Sequence, residues 1–281
     1  MPKIVNIPPC VSLSPFVRNY SLLKFNTHQL ERCGPRYSGP EMCLLFFLNA
    51  LPKSMVITHN ESPEYESKRT LLKGLSTRFN GTWRYKGAYL IFRIHFTPHG
   101  FHSLLRLPLK EFTNNILDAQ TVFGKEISVH CEQLRQAQTI NKMAALTDEF
   151  LEAYIIKSKE RAAKKGLALV ADAILRSNCA ISIEQYASLA NMSLRNFERK
   201  FAQQVGTSPK MFCRLVRFNR AIELKLMAPD KCWTSIALDC DYYDQMHMVH
   251  DFIKFAGTSP TNLFENISLP ALHIENLNRM N

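Results

Sequence analysis

The tetrapeptide Gly-Thr-Ser-Pro occurs twice in this 281-residue chain, at 206–209 and at 257–260, and the likeness reaches well before each copy. Phe201 and Phe252 each stand five residues ahead of it, while Ala187 and Ala237, both in apolar helical segments, differ by 50. A period near 50 with one insertion means a duplicated supersecondary unit.

In the first copy Ser182, with Gln185 three residues on, forms a capping box that opens the short helix IEQYASLA. Asn191 follows, and Ser193 begins a second helix, LRNFERKFAQQV, which Gly206 closes. Helix, three-residue turn, helix is the helix-turn-helix pattern. The turn needs one residue at positive φ, and after Gly the residues that tolerate it best are Asn and Asp. The second copy offers TSIALDC as its first helix, Asp241 in the place of Asn191, Asp244 as a cap, and QMHMVHDFIKF as its second helix, closed by Gly257. Between the copies Ser208 and Pro209 read as N-cap and N1 of a helix running to about Met227, with Phe212, Leu215, Val216, Ile222 and Leu226 inward. At 1.5 Å per residue that strut is roughly 28 Å long, and two helices held by it could reach successive major-groove faces about 34 Å apart.

The segments LANMSLRNFERKFAQQVGTSPKMFCRLVRFNRAIEL and IALDCDYYDQMHMVHDFIKFAGTSP together resemble the DNA-binding domain of the AraC/XylS transcription regulators. In that family two helix-turn-helix units are joined by a long helix within about 100 residues. The family usually has Gly at both turns, so Asn191 and Asp241 are departures with a steric reason.

In the first recognition helix Leu194, Phe197, Phe201 and Val205 share one face and are expected in the core. Ser193, Arg195, Asn196, Glu198, Arg199, Lys200 and Gln203 are then the candidate DNA contacts. The resemblance implies that Arg195, Glu198 and Arg199 point to base edges; Arg suits bidentate contact with guanine and Glu can accept from cytosine. In the second recognition helix Met248, Phe252 and Phe255 are expected inside and Gln245, Met246, His247, Val249 and His250 outside. The family commonly has Arg at the position of His250, so this copy should contribute less affinity, and protonation of that histidine should raise it. Arg214, Arg217 and Arg220 recur every three residues on the strut, a spacing that suits phosphate contacts or salt bridges within the domain.

The stretch DCDYYDQMHMVHDF, 239–252, also has the ingredients of a transition-metal site, but the helix-turn-helix reading gives its residues other work. His95, His99 and His102 lack a partner set at metal-ligand spacing, and Asp148, Glu149 and Glu152 read as a charged helix face. No metal and no cofactor is expected. The eight cysteines are scattered without a CxxC pair and read as reduced thiols.

Before residue 100 short apolar runs, MCLLFFL (42–48), SMVITH (54–59) and YLIFRIHF (89–96), read as strands, and helical periodicity follows in ISVHCEQLRQAQ and NKMAALTDEFLEAYIIKS. The fold class expected is α+β: an N-terminal cupin-like β-barrel with helices over 1–160, an all-α double helix-turn-helix domain over 161–267, and a tail over 268–281. KSKERAAKK (157–165) marks the boundary. The barrel is an expectation from the family, whose N-terminal domains sense a small molecule or dimerise. Residues 40–135 resemble an uncharacterised N-terminal region of some of these regulators. The apolar stripe of Met143, Leu146, Phe150 and Tyr154 reads as core or as a homodimer helix.

The formal net charge of +11 favours a polyanionic partner. Basic residues outnumber acidic ones on both sides of the boundary, 20 to 13 before residue 161 and 15 to 11 after it, so bulk charge does not pick the binding domain. No apolar run approaches a membrane span, and the N-terminus lacks a signal-peptide core, which points to the cytoplasm. The partners implied are double-stranded DNA, RNA polymerase, a small-molecule effector and a second copy of the chain, with no membrane. Two other functions compete: a cupin-like enzyme carried on a DNA-binding module, and a non-sensing DNA-binding protein whose first domain only contacts protein. No nucleophile with a partner, metal-ligand set or phosphate-cradling loop supports the enzyme.

Overall fold

The computed structural model describes residues 3–52, 54–56, 68–158, 166–177, 179 and 181–266. Nine strands come first: β1 (Lys3–Ile7), β2 (Val17–Asn26), β3 (Arg32–Pro35), β4 (Cys43–Phe47), β5 (Ser54–Val56), β6 (Thr70–Lys73), β7 (Thr82–Tyr85), β8 (Ala88–Phe96) and, after helix α1 (Gly100–Leu105) and a 3-10 turn at Leu109–Phe112, β9 (Ile116–Asp118). They form two antiparallel sheets, β1-β2-β8-β4-β6-β9 and β3-β7-β5. Helices α2 (Gln120–Phe123), α3 (Glu126–Gln136) and α4 (Ile140–Ser158) complete this half. The β-then-helix order of the sequence reading holds, and the barrel it expected is two facing sheets among the described residues.

Alternation along β8 explains the layering. Side chains of a strand point to opposite faces in turn, so Phe92, Ile94 and Phe96 enter one core with Leu44, Phe46 and Leu72, covered by α1, α3 and α4. Tyr89 and Ile91 enter a second core with Phe25, Phe47, Trp83 and Tyr85, facing the smaller sheet. Arg93 and His95 follow on that second face, and both are buried. His95 bonds Ser21 through Nε2 (3.0 Å) and Glu41 through Nδ1 (3.3 Å), while Arg93 Nε donates to Ser21 Oγ at 2.9 Å. Glu41 also takes an ion pair from Arg18.

The α4 stripe is used inside its own domain. Met143, Leu151 and Ile155 are in the core, and Phe150 stacks on the His130 ring with centroids 4.5 Å apart. Lys157 and Ser158 are still helical, and the rest of the charge-rich boundary, 159–165, lies outside the described residues, as does the tail 268–281.

The C-terminal half is helical: α5 (Gly166–Arg176), α6 (Ile183–Leu189), α7 (Leu194–Val205), α8 (Pro209–Met227), α9 (Trp233–Asp239), α10 (Gln245–Ala256) and α11 (Pro260–Asn266). Phe197, Phe201 and Phe212 pack edge-on or tilted on the first unit's side of α8, and Phe218, Phe252 and Phe255 do so on the second's. The two units share a core along α8, whose inward residues Phe212, Leu215, Val216 and Ile222 are buried as read, with Leu226 partly so. Leu194, expected inside, is 39% exposed. It opens α7 beyond the point where α8 can cover it.

Burial holds the imidazoles of His95, His99 and His130 neutral, pushing each from the ordinary 6.5 down to about 4. A folded-state pKa below the unfolded one means that the unfolded chain takes up more protons as pH falls from about 6.5 towards about 4. Stability is therefore full above that window and is lost through it. The melting temperature should fall steadily between pH 7 and pH 4.5, and less steeply in His130→Gln; an unchanged slope would show that His130 is accessible to protons.

Candidate nucleic-acid interface

Both helix-turn-helix units turn by the same device. In the first, Asn191 takes φ +54°, its N–H donates to Ser188 O (2.9 Å), and Met192 N–H donates to Ala187 O (3.0 Å). In the second, Asp241 takes φ +56°, its N–H donates to Leu238 O (3.1 Å), and Tyr242 N–H donates to Ala237 O (3.0 Å). These are the paired bonds of a Schellman cap, which satisfy the last carbonyls of a helix only when one residue goes left-handed. Asn and Asp fit because their short polar side chains tolerate that region.

The bonds also locate the insertion. Up to Met192 and Tyr242 the copies are offset by 50, and from Phe201 and Phe252 onward by 51. The inserted residue is Tyr243, between the packed Tyr242 and the cap Asp244, and it is 90% exposed. Of the two adjacent tyrosines only Tyr242, at 3% exposure, is buried.

Caps follow the sequence closely. Ser182 and Gln185 form the reciprocal capping box, Ser208 Oγ accepts from Met211 N with Pro209 at N1, and Asp244 Oδ1 accepts from His247 N at 2.6 Å. Ser193 occupies the N-cap of α7 but its hydroxyl makes no capping bond. Gly206 (φ +99°) and Gly257 (φ +76°) end the two recognition helices in the left-handed region.

With Phe197, Phe201 and Val205 buried, Ser193, Arg195, Glu198, Arg199 and Gln203 stand exposed on α7, and Asn196 and Lys200 lie half-buried beside them. Arg199 Nη2 donates to Asn196 Oδ1 at 3.0 Å, which tethers the guanidinium on the outer surface. On α10, Gln245, Met246 and His250 are exposed, while His247 and Val249 are half-buried. The His247 ring packs edge-on against Tyr242, and Gln245 accepts from Thr234 Oγ1 at 2.6 Å. Among the described residues no three His, Cys, Asp or Glu side chains gather as a metal would require.

The arginines of α8 divide. Arg214 meets the fully buried Asp251 of α10 through Nε (3.0 Å) and Nη2. Arg217 donates to Asp241 O at 2.8 Å and lies over the Tyr242 ring, so it braces the second turn. Arg220 is 3.6 Å from Glu223. All three thus make contacts within the domain. Asp251, the residue that fixes α10 to the strut, was missed by sequence reasoning; a lone acid on the apolar side of α10 was the available signal.

Residues 186–266 match a family described as a helix-turn-helix domain, and residues 5–118, up to the end of β9, match a domain of unknown function, DUF6597. An uncharacterized HTH-type transcriptional regulator of Haemophilus influenzae is 37% identical over 87 residues, 31% of this chain and 29% of that protein. The chain thus spans under a third of the length of this curated relative. Among solved structures, ToxT of Vibrio cholerae aligns over 86% of this chain and 95% of its own, at 9% identity and a TM-score of 0.46. The DNA-binding domain of AdpA, solved in complex with a target DNA, aligns over 37% of this chain and 98% of its own, at 23% identity and a TM-score of 0.33.

Breaking the Arg214–Asp251 pair leaves a charge facing the core, a change that costs about 3 kcal/mol at a site of this burial. Asp251→Ala should lower the denaturant midpoint accordingly, and a variant that also carries Arg214→Met should recover most of the loss. Equal midpoints in the single variant and the wild-type chain would show that the pair is idle.

Proposed function

We propose, from a C-terminal domain that belongs to the AraC-type helix-turn-helix family, that this chain is a bacterial transcription regulator reading two successive major-groove sites of double-stranded DNA with α7 and α10. The observation that carries this reading is the pair of identically capped turns, each followed by a helix whose outward side chains stand clear of the core. Recognition helices read base edges with their outer, N-terminal residues. On α7 those residues are Arg195, Glu198 and Arg199, with Lys200 and Gln203 towards the phosphates. On α10 they are Gln245, Met246 and His250, with His247 and Val249 at the margin.

The two readers differ in charge. The first offers three cations, Arg195, Arg199 and Lys200, while the outward residues of the second offer only histidines. Phosphate neutralisation dominates affinity, so the first unit supplies most of the binding, and the second contributes less of both affinity and selectivity. A regulator that binds bacterial DNA would act in the cytoplasm, and RNA polymerase is the partner through which a DNA-bound protein of this kind would alter transcription.

Control by a small molecule is favoured by a cavity of about 90 Å³ between the two sheets. Tyr37, Glu41, Lys73, Trp83, Arg93 and His95 are in its wall, and so is Asn219 of the strut α8. A ligand there would touch both halves of the chain at once, and the space suits a few heavy atoms rather than a drug-sized molecule. Dimerisation, the other control the sequence pointed to, would need a surface other than the α4 stripe.

Two measurements test this. Arg199→Ala should weaken binding to a duplex selected by the wild-type chain by about 1–3 kcal/mol and relax its preference at one base pair; unchanged affinity and preference at fixed salt would remove α7 from the interface. A melting-shift screen of small organic acids and sugars on the full chain should find a stabilising compound; none across the screen would favour the non-sensing alternative.

A further inference from the structure

The N-terminal half touches the recognition units at two equivalent places, the C-terminal ends of α7 and α10. At the first, Thr113 Oγ1 donates to Gly206 O at 2.6 Å, and a Cβ on Gly206 would come within 2.9 Å of that hydroxyl and 3.2 Å of Leu109 O. At the second, Ser38 N–H donates to Phe255 O (3.0 Å) and Phe79 N–H to Lys254 O (2.9 Å), and a Cβ on Gly257 would come within 2.9 Å of the Phe79 ring. The last carbonyls of a helix have no partner inside it. The N-terminal half supplies donors at both helix ends, to the carbonyl of the closing Gly206 in the first copy and to the last-turn carbonyls of Lys254 and Phe255 in the second, beside glycines 51 residues apart. A fourth bond, Asn219 Nδ2 to Ser38 O at 3.4 Å, ties the strut to the same segment of the N-terminal half.

Each grip leaves the reading faces open: Arg195, Glu198 and Arg199 on α7, and Gln245, Met246 and His250 on α10, remain exposed with the clamps in place. The docked state is therefore no occluded form of the domain. Within the C-terminal half the units are joined through α8 and the cores on either side of it. The clamps fix the ends of α7 and α10 to the N-terminal half as well. Fixing two readers before they bind removes part of the ordering cost of engaging both sites at once.

We infer that Thr113 and Phe79 are positioning residues of the N-terminal half that set the relative placement of the two recognition helices, and so the spacing between DNA sites that the chain accepts. This rests on the reading of α7 and α10 as DNA-binding helices. The clamp touches no DNA itself; it acts through the helix ends.

The test uses the full chain and a duplex selected by the wild-type chain from a random pool, together with versions carrying one base pair inserted or deleted midway between the two sites. One added base pair rotates the second site by about 35° and displaces it by about 3.4 Å. The wild-type chain should lose about tenfold or more in affinity for the altered duplexes. Thr113→Val with Phe79→Ala should bind the selected duplex more weakly but lose only about threefold on insertion or deletion. Thr113→Val alone, nearly isosteric, should show an intermediate spacing dependence with an unchanged melting temperature. If both variants keep the full wild-type spacing penalty, the clamp does not position the helices. Tighter binding of the selected duplex by the double variant would overturn the inference too, since it would make the clamp inhibitory. Failure of the wild-type chain to select any duplex would instead remove the DNA-binding reading, and this inference with it.

Discussion

The structure of the C-terminal half depends on one backbone event made twice: a residue that passes into the left-handed region at Asn191 and at Asp241. Only there can the N–H groups of residues 191 and 192, and of 241 and 242, turn back to the carbonyls of α6 and α9. That reversal sets the direction in which α7 and α10 leave, and hence which side chains are buried. Phe197, Phe201, Met248 and Phe252 reach the shared core because the turns aim them at α8. Gly would make the same turn with less strain, but it would also widen the unfolded ensemble. Asn and Asp accept some strain and lose less freedom on folding.

The turns and caps were legible because they are local. A Schellman turn, a capping box and a Pro at N1 are encoded within six residues, and each fell where Ser182, Gln185, Asn191, Ser208, Pro209, Asp241 and Asp244 placed it. The strut ran from Pro209 to Met227 as read. Leu194 misled because helical periodicity records which face a residue lies on and not how far the partner helix extends.

The N-terminal half was less legible, for a physical reason. β4 and β8 are apolar enough to be seen alone, and the runs at 42–48 and 89–96 coincide with them. The third run, 54–59, is a strand over Ser54–Val56, and the rest of it falls outside the described residues. β2, VRNYSLLKFN, breaks the polar–apolar alternation at Arg18–Asn19 and at Leu22–Leu23, and its place is fixed by pairing with β8, Val17 with Phe96 through to Asn26 with Ala88. No local pattern encodes that partner. Nor could sequence show that Arg93 and His95 face inward, because a buried charge is placed by its partners, here Ser21 and Glu41, and not by its own hydropathy.

The contacts between the halves are the least legible of all, since two of the four donors named above are main-chain N–H groups, of Ser38 and Phe79. Backbone groups are the same at every residue and leave no trace in composition. What does leave a trace is the acceptor side. The two helix ends must be glycine for conformation, and their missing side chains are the space into which Thr113, Leu109 and Phe79 fit. The repeated Gly-Thr-Ser-Pro therefore has two functions in the fold. Its Gly ends a recognition helix and admits the N-terminal half, and its Ser and Pro begin the next helix, so a chain that keeps both copies keeps both the turn geometry and the docking geometry. Two units descended from one pattern would in this way present equivalent handles to a single rigid body, although that body grips one with a threonine hydroxyl and the other with a phenyl ring and two peptide N–H groups.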